Sequence, residues 1–411
     1  LGDLVQEYPD TAHFARALDE ALEQLRTSGF AAKHIAGNHD VGDKPDPAMP
    51  THPVDAAALK LYHDRFGPSY YAFDCGPLRA IALNSQIFNT AFASEQRAFF
   101  ERELAAHAER RLAVFLHLPP YLWDPTEAHQ GHYDNIGEPD RSWLLQLLVR
   151  YDVEILFCGH VHFSFRDQLR HTRLVVCPST SFTRPGFSHL FAGVAPPEQG
   201  RDDVPKTGFF LCRLVASDSM GGRLDVHRLR MSILPDAHST ALLTTPALVG
   251  ASPADGFGLG VTLRHPLALE TEVPIAWPSV IRQPVRNDYP LLACVEAGIH
   301  WVRVPVADLV DPAQSRRLQI LRAEGIAVQA VALGEAEALA HSSRLPDHAD
   351  RLELQLPGRR LPDADALRRL GDGPLPLALC PVLPGQPVPG KQHHRTRTGY
   401  LADELAALGE L

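Results

Sequence analysis

Four short apolar runs, three of which end in residues suited to binding metal or moving protons, constrain this chain more than any other feature. Residues 34–36 run into Gly37-Asn38-His39-Asp40, residues 80–83 into Asn84-Ser85, residues 112–116 into His117, and residues 153–158 into Gly159-His160-Val161-His162. Helical stretches stand around and between them, at residues 10–28, 94–110 and 141–151. In the first, Phe14, Ala17, Leu18, Ala21, Leu22 and Leu25 follow the i, i+3, i+4, i+7 period, with Asp10 or Thr11 as cap and Gly29 as stop. Strands alternating with helices predict a layered α/β domain. Ligand sites in an open α/β sheet lie outside the carboxyl ends of the strands, so segments distant in sequence can converge on one crevice.

Gly2-Asp3 belongs with these pieces: such a turn normally follows a strand, yet the chain opens on it after a single apolar residue and without Met. Asp3, Asn38, His117, His160 and His162 together offer a carboxylate, an amide oxygen and imidazoles. This mixed oxygen and nitrogen set suits Zn, Fe or Mn and is poor for Mg or Ca. The i, i+2 spacing of His160 and His162, on an irregular turn after a strand, lets them face two neighbouring ions. Two metals about 3.5–4 Å apart can clamp the attacking and leaving oxygens of an in-line displacement. A lone Asp3 would be a turn residue and a lone His117 a satisfied core histidine; only their company raises them.

The ordered blocks Gly-Asp, Gly-Asn-His-Asp, a lone His, and Gly-His-x-His, over residues 2–162, resemble the calcineurin-like metallophosphoesterase superfamily, and the resemblance extends to about residue 231. It implies a layered α/β sandwich and two divalent transition-metal ions (Mn, Fe or Zn). Asp3 would bridge the ions; Asn38, His117 and His160 would complete one site, and His162 would serve the other. His39 would face substrate as proton donor or stabiliser of the leaving group, with Asp40 placed to orient it. The nucleophile would be a metal-bound hydroxide. The family's further D-x-H block is absent, which leads to the expectation of a strand ending in D-x-H before Leu1, and of a chain that binds one metal well and the second poorly. Gln6 stands where the phosphoprotein-phosphatase branch has an Asp, three residues after the bridging one. That departure favours the branch acting on small phosphomonoesters or phosphodiesters, including cyclic nucleotides. The alternative is a non-catalytic scaffold holding a single metal.

Beyond Arg173 the pattern turns to strands without helices, two of them joined as a hairpin by a Gly-rich turn. Residues 1–231 form the expected metallophosphoesterase domain and residues 232–285 a β-rich linker or small domain. Residues 286–411 carry four βα-like units, half the strand count of a (β/α)8 barrel, and are expected as a partial barrel-like module. The loop at 121–140 is long enough to be a lid or binding loop, making His132, Tyr133 and Asn135 candidate substrate contacts. Asp43, Asp46 and His52, in the Pro-rich loop after the Asn-His-Asp block, are weaker candidates. Residues 385–391 nearly fit a nucleotide P-loop, but Gln392 replaces the required hydroxyl residue and Pro387 and Pro389 remove amides that a phosphate cradle needs.

A net charge of -10 argues against nucleic acid or an anionic membrane as the main partner; the resemblance implies a small phosphorylated substrate. No apolar run is long enough to span a bilayer. The six cysteines are scattered, which reads as buried thiols in a reduced, cytoplasmic setting.

Overall fold

Helix α1 occupies Phe14–Thr27 in the computed structural model, with Phe14, Leu18 and Ala21 buried. It starts later than the expected residue 10, because the Thr11 amide and hydroxyl both donate to the Tyr8 carbonyl and close a turn first. His13 therefore holds the N-cap position, and neither Asp10 nor Thr11 caps the helix. The structure describes residues 1–46, 52–128, 133–183, 206–215, 222–230, 258–267, 270–274, 282–384, 396–402 and 404–405. Residues 385–391 and His132 lie outside them.

The chain packs as two units, the first comprising Leu1–Ala237 with Glu270–Tyr289. After α1 come α2 (Asn38–Val41), α3 (Ala56–Phe66), β1 (Tyr71–Cys75), β2 (Leu78–Ala82), α4 (Ala93–Ala106), β3 (Arg111–Phe115), α5 (Asp140–Arg150), β4 (Ile155–Cys158), β5 (Phe165–Leu169) and β6 (Thr172–Val176). The sheet order is β1-β2-β3-β4-β6-β5, with β2, β3, β4 and β6 parallel and the two edge strands antiparallel. Parallel strands are covered on both faces, which is why these read as continuous apolar runs. Leu112, Val114, Leu156 and Leu174 pack toward Phe100 and Leu104 of α4 and Leu144 and Leu148 of α5. Ala113, Ile155, Phe157 and Val175 pack on the other face against Leu224 and Val226. Those two residues belong to the antiparallel hairpin β7 (Gly208–Val215) and β8 (Arg223–Arg230).

Residues 34–36 form no ladder among the described residues. The Tyr71 hydroxyl instead accepts from the His34 amide and donates to the His34 carbonyl, each at 2.8 Å, satisfying backbone groups that a neighbouring strand would otherwise pair.

Residues 232–285, read from sequence as one segment, are shared between the units. Strand β9 (Gly260–Thr262) joins the sheet of the second unit, whereas β10 (Glu270–Pro274) and β11 (Arg282–Arg286) pair with each other in the first. Arg286, 1% exposed, binds Asp167 Oδ2 at 2.7 Å and Asp288 Oδ2 at 2.9 Å. The Tyr121 hydroxyl donates to the same Asp167 oxygen, and Asp288 accepts from the Arg166 amide. A buried ion network thus ties the end of β11 to β5.

The second unit comprises His238–Leu269 and Pro290–Leu411. Strands β12 (Trp301–Pro305), β13 (Ala327–Leu333), β14 (Arg351–Pro357) and β15 (Leu377–Pro384) run parallel with β9, and β16 (Thr396–Thr398) closes the edge antiparallel. They form a curled half-barrel sheet. Alternate residues such as Val302, Val304, Val328, Ala330, Leu352 and Leu354 pack with Leu309, Leu318, Leu321 and Leu370 of the intervening helices. In the basic stretch after residue 391, Arg397 pairs with Glu404. All six cysteines are free thiols, but only Cys158 and Cys294 are buried, and Cys75 and Cys212 are exposed, against the expectation of buried thiols. Among the described residues no helix is long and apolar enough to cross a membrane.

Candidate metal centre

Strands β3 and β4 are neighbours and parallel, so the residues that follow them emerge side by side. The pairing continues past both strands, with Gly159 N–H donating to the His117 carbonyl at 2.9 Å. His117 and His160 are therefore delivered to one edge of the sheet. The Gly2-Asp3 turn lies against them in left-handed backbone, φ 91° at Gly2 and 56° at Asp3. A Cβ at Gly2 would strike the His117 ring, and one at Gly37 would strike the backbone nitrogen and carboxylate of Asp3. Glycine at both places lets three backbone segments meet.

Asp40 fixes that meeting. Its carboxylate accepts from the amides of Asp3 at 2.9 Å, Leu4 at 2.8 Å and Gly37 at 2.8 Å. Expected beside His39, it is instead committed to these backbone donors, and His39 Nδ1 meets the Gln6 carbonyl at 2.8 Å. Burial, and then the charge of Asp3, push the Asp40 pKa up to about 7 against the pull of the amides.

At the centre, His117 Nε2 lies 3.1 Å from Asn38 Oδ1, 3.1 Å from His160 Nδ1 and 3.3 Å from Asp3 Oδ2. His117 Nδ1 sits 2.6 Å from the Leu1 carbonyl, an acceptor only, so it carries a proton and donates there. In the neutral ring Nε2 is then a lone pair among other lone pairs, an arrangement that calls for a proton or a cation. The ligating atoms of Asp3, His117 and His160 all lie within 4.8 Å of one another. This donor set fits a transition metal: it is compact, mixed oxygen and nitrogen, and set in one tautomer by an outer hydrogen bond. Burial alone would raise the Asp3 carboxyl, but the charge of His117 and its bond, then His39 and His160, hold it well below the usual carboxylate range. Reciprocally, burial works against a charged His117 imidazole while Asp3 raises its pKa overall.

His160 and His162 both have positive φ, 69° and 58°, a conformation that non-glycine residues hold only when their surroundings impose it. The outer nitrogen of His160 faces the fully buried Asp134 at 3.9 Å. His162 packs against the Phe182 ring, with centroids 4.5 Å apart. Asp3, His39, His117, His160 and His162 all line one cavity of about 620 Å³, walled also by Phe115, Phe157 and Phe182.

The loop residues fall into different places. The Tyr133 hydroxyl accepts from the Asn38 amide nitrogen at 3.1 Å, beside the site. Asn135, expected at substrate, is fully buried and donates to Glu127 Oε1 at 2.8 Å, where it holds the loop together. Asp46 pairs with Lys44, and His52 with Asp55 at the start of α3. Sequence reasoning missed Tyr8, whose hydroxyl accepts from Asn38 Nδ2 at 2.7 Å, and Asp134. The adjacency of Asp134 to Tyr133 was the one available signal; Tyr8 had none.

The family model described as calcineurin-like phosphoesterase matches residues 1–164. The serine/threonine-protein phosphatase CPPED1 of Danio rerio is 26% identical over 171 residues, covering 39% of this chain and 52% of that protein. The human protein of the same name is 24% identical over 193 residues, covering 43% and 56%. The chain thus spans about half the length of the curated relatives it matches. Among solved structures, a purple acid phosphatase from yellow lupin (Lupinus luteus) aligns over 34% of this chain and 30% of its own, at 19% identity and a TM-score of 0.24.

Proposed function

We propose that this chain, whose residues 1–164 belong to the calcineurin-like phosphoesterase family, is a metal-dependent phosphoesterase with a binuclear site. The observation that supports this most directly is the convergence of Asp3, Asn38 and His160 on one nitrogen of His117. Those four residues would hold one ion, and Asp3 with His162 would serve the second. Bound there, two such cations supply Lewis acidity and a clamp on the oxygens of an in-line displacement. The chain's own groups do the rest. Asp40 holds the Asp3 turn rigid through three amides. His39 donates Nδ1–H to the Gln6 carbonyl, which leaves Nε2 as the nitrogen that would give a proton to a leaving group from the imidazolium form and return to the neutral ring.

As substrate we propose a small phosphomonoester or phosphodiester, on the strength of Gln6 standing three residues after Asp3. The name of the curated relatives favours a second class, phosphorylated serine or threonine side chains. Hydrolysis of p-nitrophenyl phosphate, bis(p-nitrophenyl) phosphate and a phosphoserine peptide should separate the classes. Chelation should bring turnover to background, and Mn²⁺, Fe²⁺ or Zn²⁺ should restore it; turnover persisting in demetallated protein would sink the proposal. One bound metal per chain with no turnover on any ester would instead mark a binding scaffold.

His39→Ala should lower kcat about 10²–10⁴-fold on esters with poor leaving groups while metal content stays constant. The loss should shrink for nitrophenolate, which leaves without a proton. Equal losses on both kinds of ester would assign His39 to phosphate positioning.

A further inference from the structure

We propose that Tyr8 and Tyr133 are positioning residues that clamp the Asn38 carboxamide, so that its oxygen and not its nitrogen faces the ligand cluster. The link to metal rests on the reading of Asn38 as a ligand; the clamp rests on geometry alone. Asn38 is 1% exposed, and its nitrogen carries two N–H bonds. Two phenol oxygens take them, Tyr8 at 2.7 Å and Tyr133 at 3.1 Å. Oδ1 is thereby left on the opposite side, 3.1 Å from His117 Nε2.

A carboxamide is nearly symmetric in shape, and a half-turn about its last bond exchanges acceptor for donor. That exchange would aim the amide N–H groups toward His117 Nε2, where they would repel a cation. The partners at the far end decide which orientation wins. Phenols can donate as well as accept, so the clamp requires their own hydrogens to be used elsewhere. Tyr8 and Tyr133 hydrogen-bond to each other, and Tyr8 also lies in the field of the buried Asp43 carboxylate. Both influences draw phenol hydrogens away from Asn38.

The two tyrosines come from separate places, the turn after Asp3 and the loop before α5. Each ring also packs on a histidine of the site, Tyr8 on His39 at 4.2 Å and Tyr133 on His160 at 4.5 Å between centroids. Phenylalanine would keep those ring contacts and remove only the oxygens.

The chain has five asparagines, so this chain labelled with ¹⁵N at asparagine alone would give few side-chain amide pairs. The Asn38 pair is assigned by its loss in Asn38→Ala. In the wild type it should exchange slowly with solvent. In Tyr8→Phe/Tyr133→Phe it should exchange severalfold faster, with the pairs from Asn84, Asn89 and Asn287 unmoved, which also shows that the fold survives. Titration with Mn²⁺, followed by the EPR signal of the free ion, should show affinity weakened about 10–100-fold by the double substitution. In an Asn38→Asp background, where no amide needs orienting, the same substitutions should change affinity by no more than about twofold. Unchanged amide exchange would overturn the clamp. A freed amide with unchanged Mn²⁺ affinity, or equal losses in both backgrounds, would overturn its role toward the metal. Asn38→Ala separates these from failure of the functional reading: only if Asn38 is no ligand does that variant bind Mn²⁺ as the wild type does.

Discussion

His117→Ala should abolish metal binding and turnover together. His117 Nε2 is the atom on which Asn38, His160 and Asp3 converge, so its removal deletes both a ligand and the centre of the set. Losing an outer supporting residue typically costs about 10–100-fold in affinity or activity, and loss of a ligand should exceed the upper end of that range. The substitution also frees the Leu1 carbonyl and leaves a ring-sized void beside Gly2, so unfolding must be separated from metal loss. Linkage provides the separation, because a metal that binds only the native state raises its stability as the free metal concentration rises. Wild-type protein should therefore melt higher with each increment of metal, whereas His117→Ala should melt at one temperature throughout. Metal analysis and kcat/KM complete the test. A variant that keeps its metal and loses only rate would show that His117 is no ligand.

Much of this site was legible because parallel strands are buried on both faces. Residues 112–116 and 153–158 could only be covered strands, and the histidines just beyond them had to emerge at the same sheet edge. What stayed hidden depended on partners remote in the chain. Residues 34–36 look like a strand by composition, but a strand needs a neighbour, and a single tyrosine hydroxyl serves His34 instead. Asp40 looked like a partner for His39 because it is adjacent in sequence. In a short helical turn, though, adjacent side chains diverge, and three amides claim the carboxylate. Asn135 carried the polarity of a binding residue, and burial spent it on Glu127. Tyr8 gave no warning because its target, the Asn38 amide, is fixed by tertiary approach and not by period. The same blindness covers Arg286, which falls at the expected boundary between the β-rich segment and the barrel-like module.

Arg286→Met should destabilise the first unit by about 3–5 kcal/mol, the usual cost of removing one partner from a buried ion network. The guanidinium stands between Asp167 and Asp288, and all three side chains are about 1% exposed. Without it, Asp167 still accepts from the Tyr121 hydroxyl and the Gln168 amide, and Asp288 from the Arg166 amide, but the positive charge between them is gone. Two carboxylates then share a dry site and repel each other. Methionine matches much of the arginine stem, so the loss measures charge more than volume. In a unit of this size the midpoint should fall by roughly 6–20 °C, taking about 2–4 °C per kcal/mol. Adding Asp167→Asn and Asp288→Asn should return part of that stability, because neutral amides in place of stranded charges remove the repulsion. Calorimetry gives the size of the effect, and hydrogen exchange gives its place: protection should fall first along β5, where Asp288 accepts the Arg166 amide. A shift below about 1 kcal/mol, the range of an exposed pair, would mean that water reaches this network and that Glu270–Tyr289 is not held to β5 by charge.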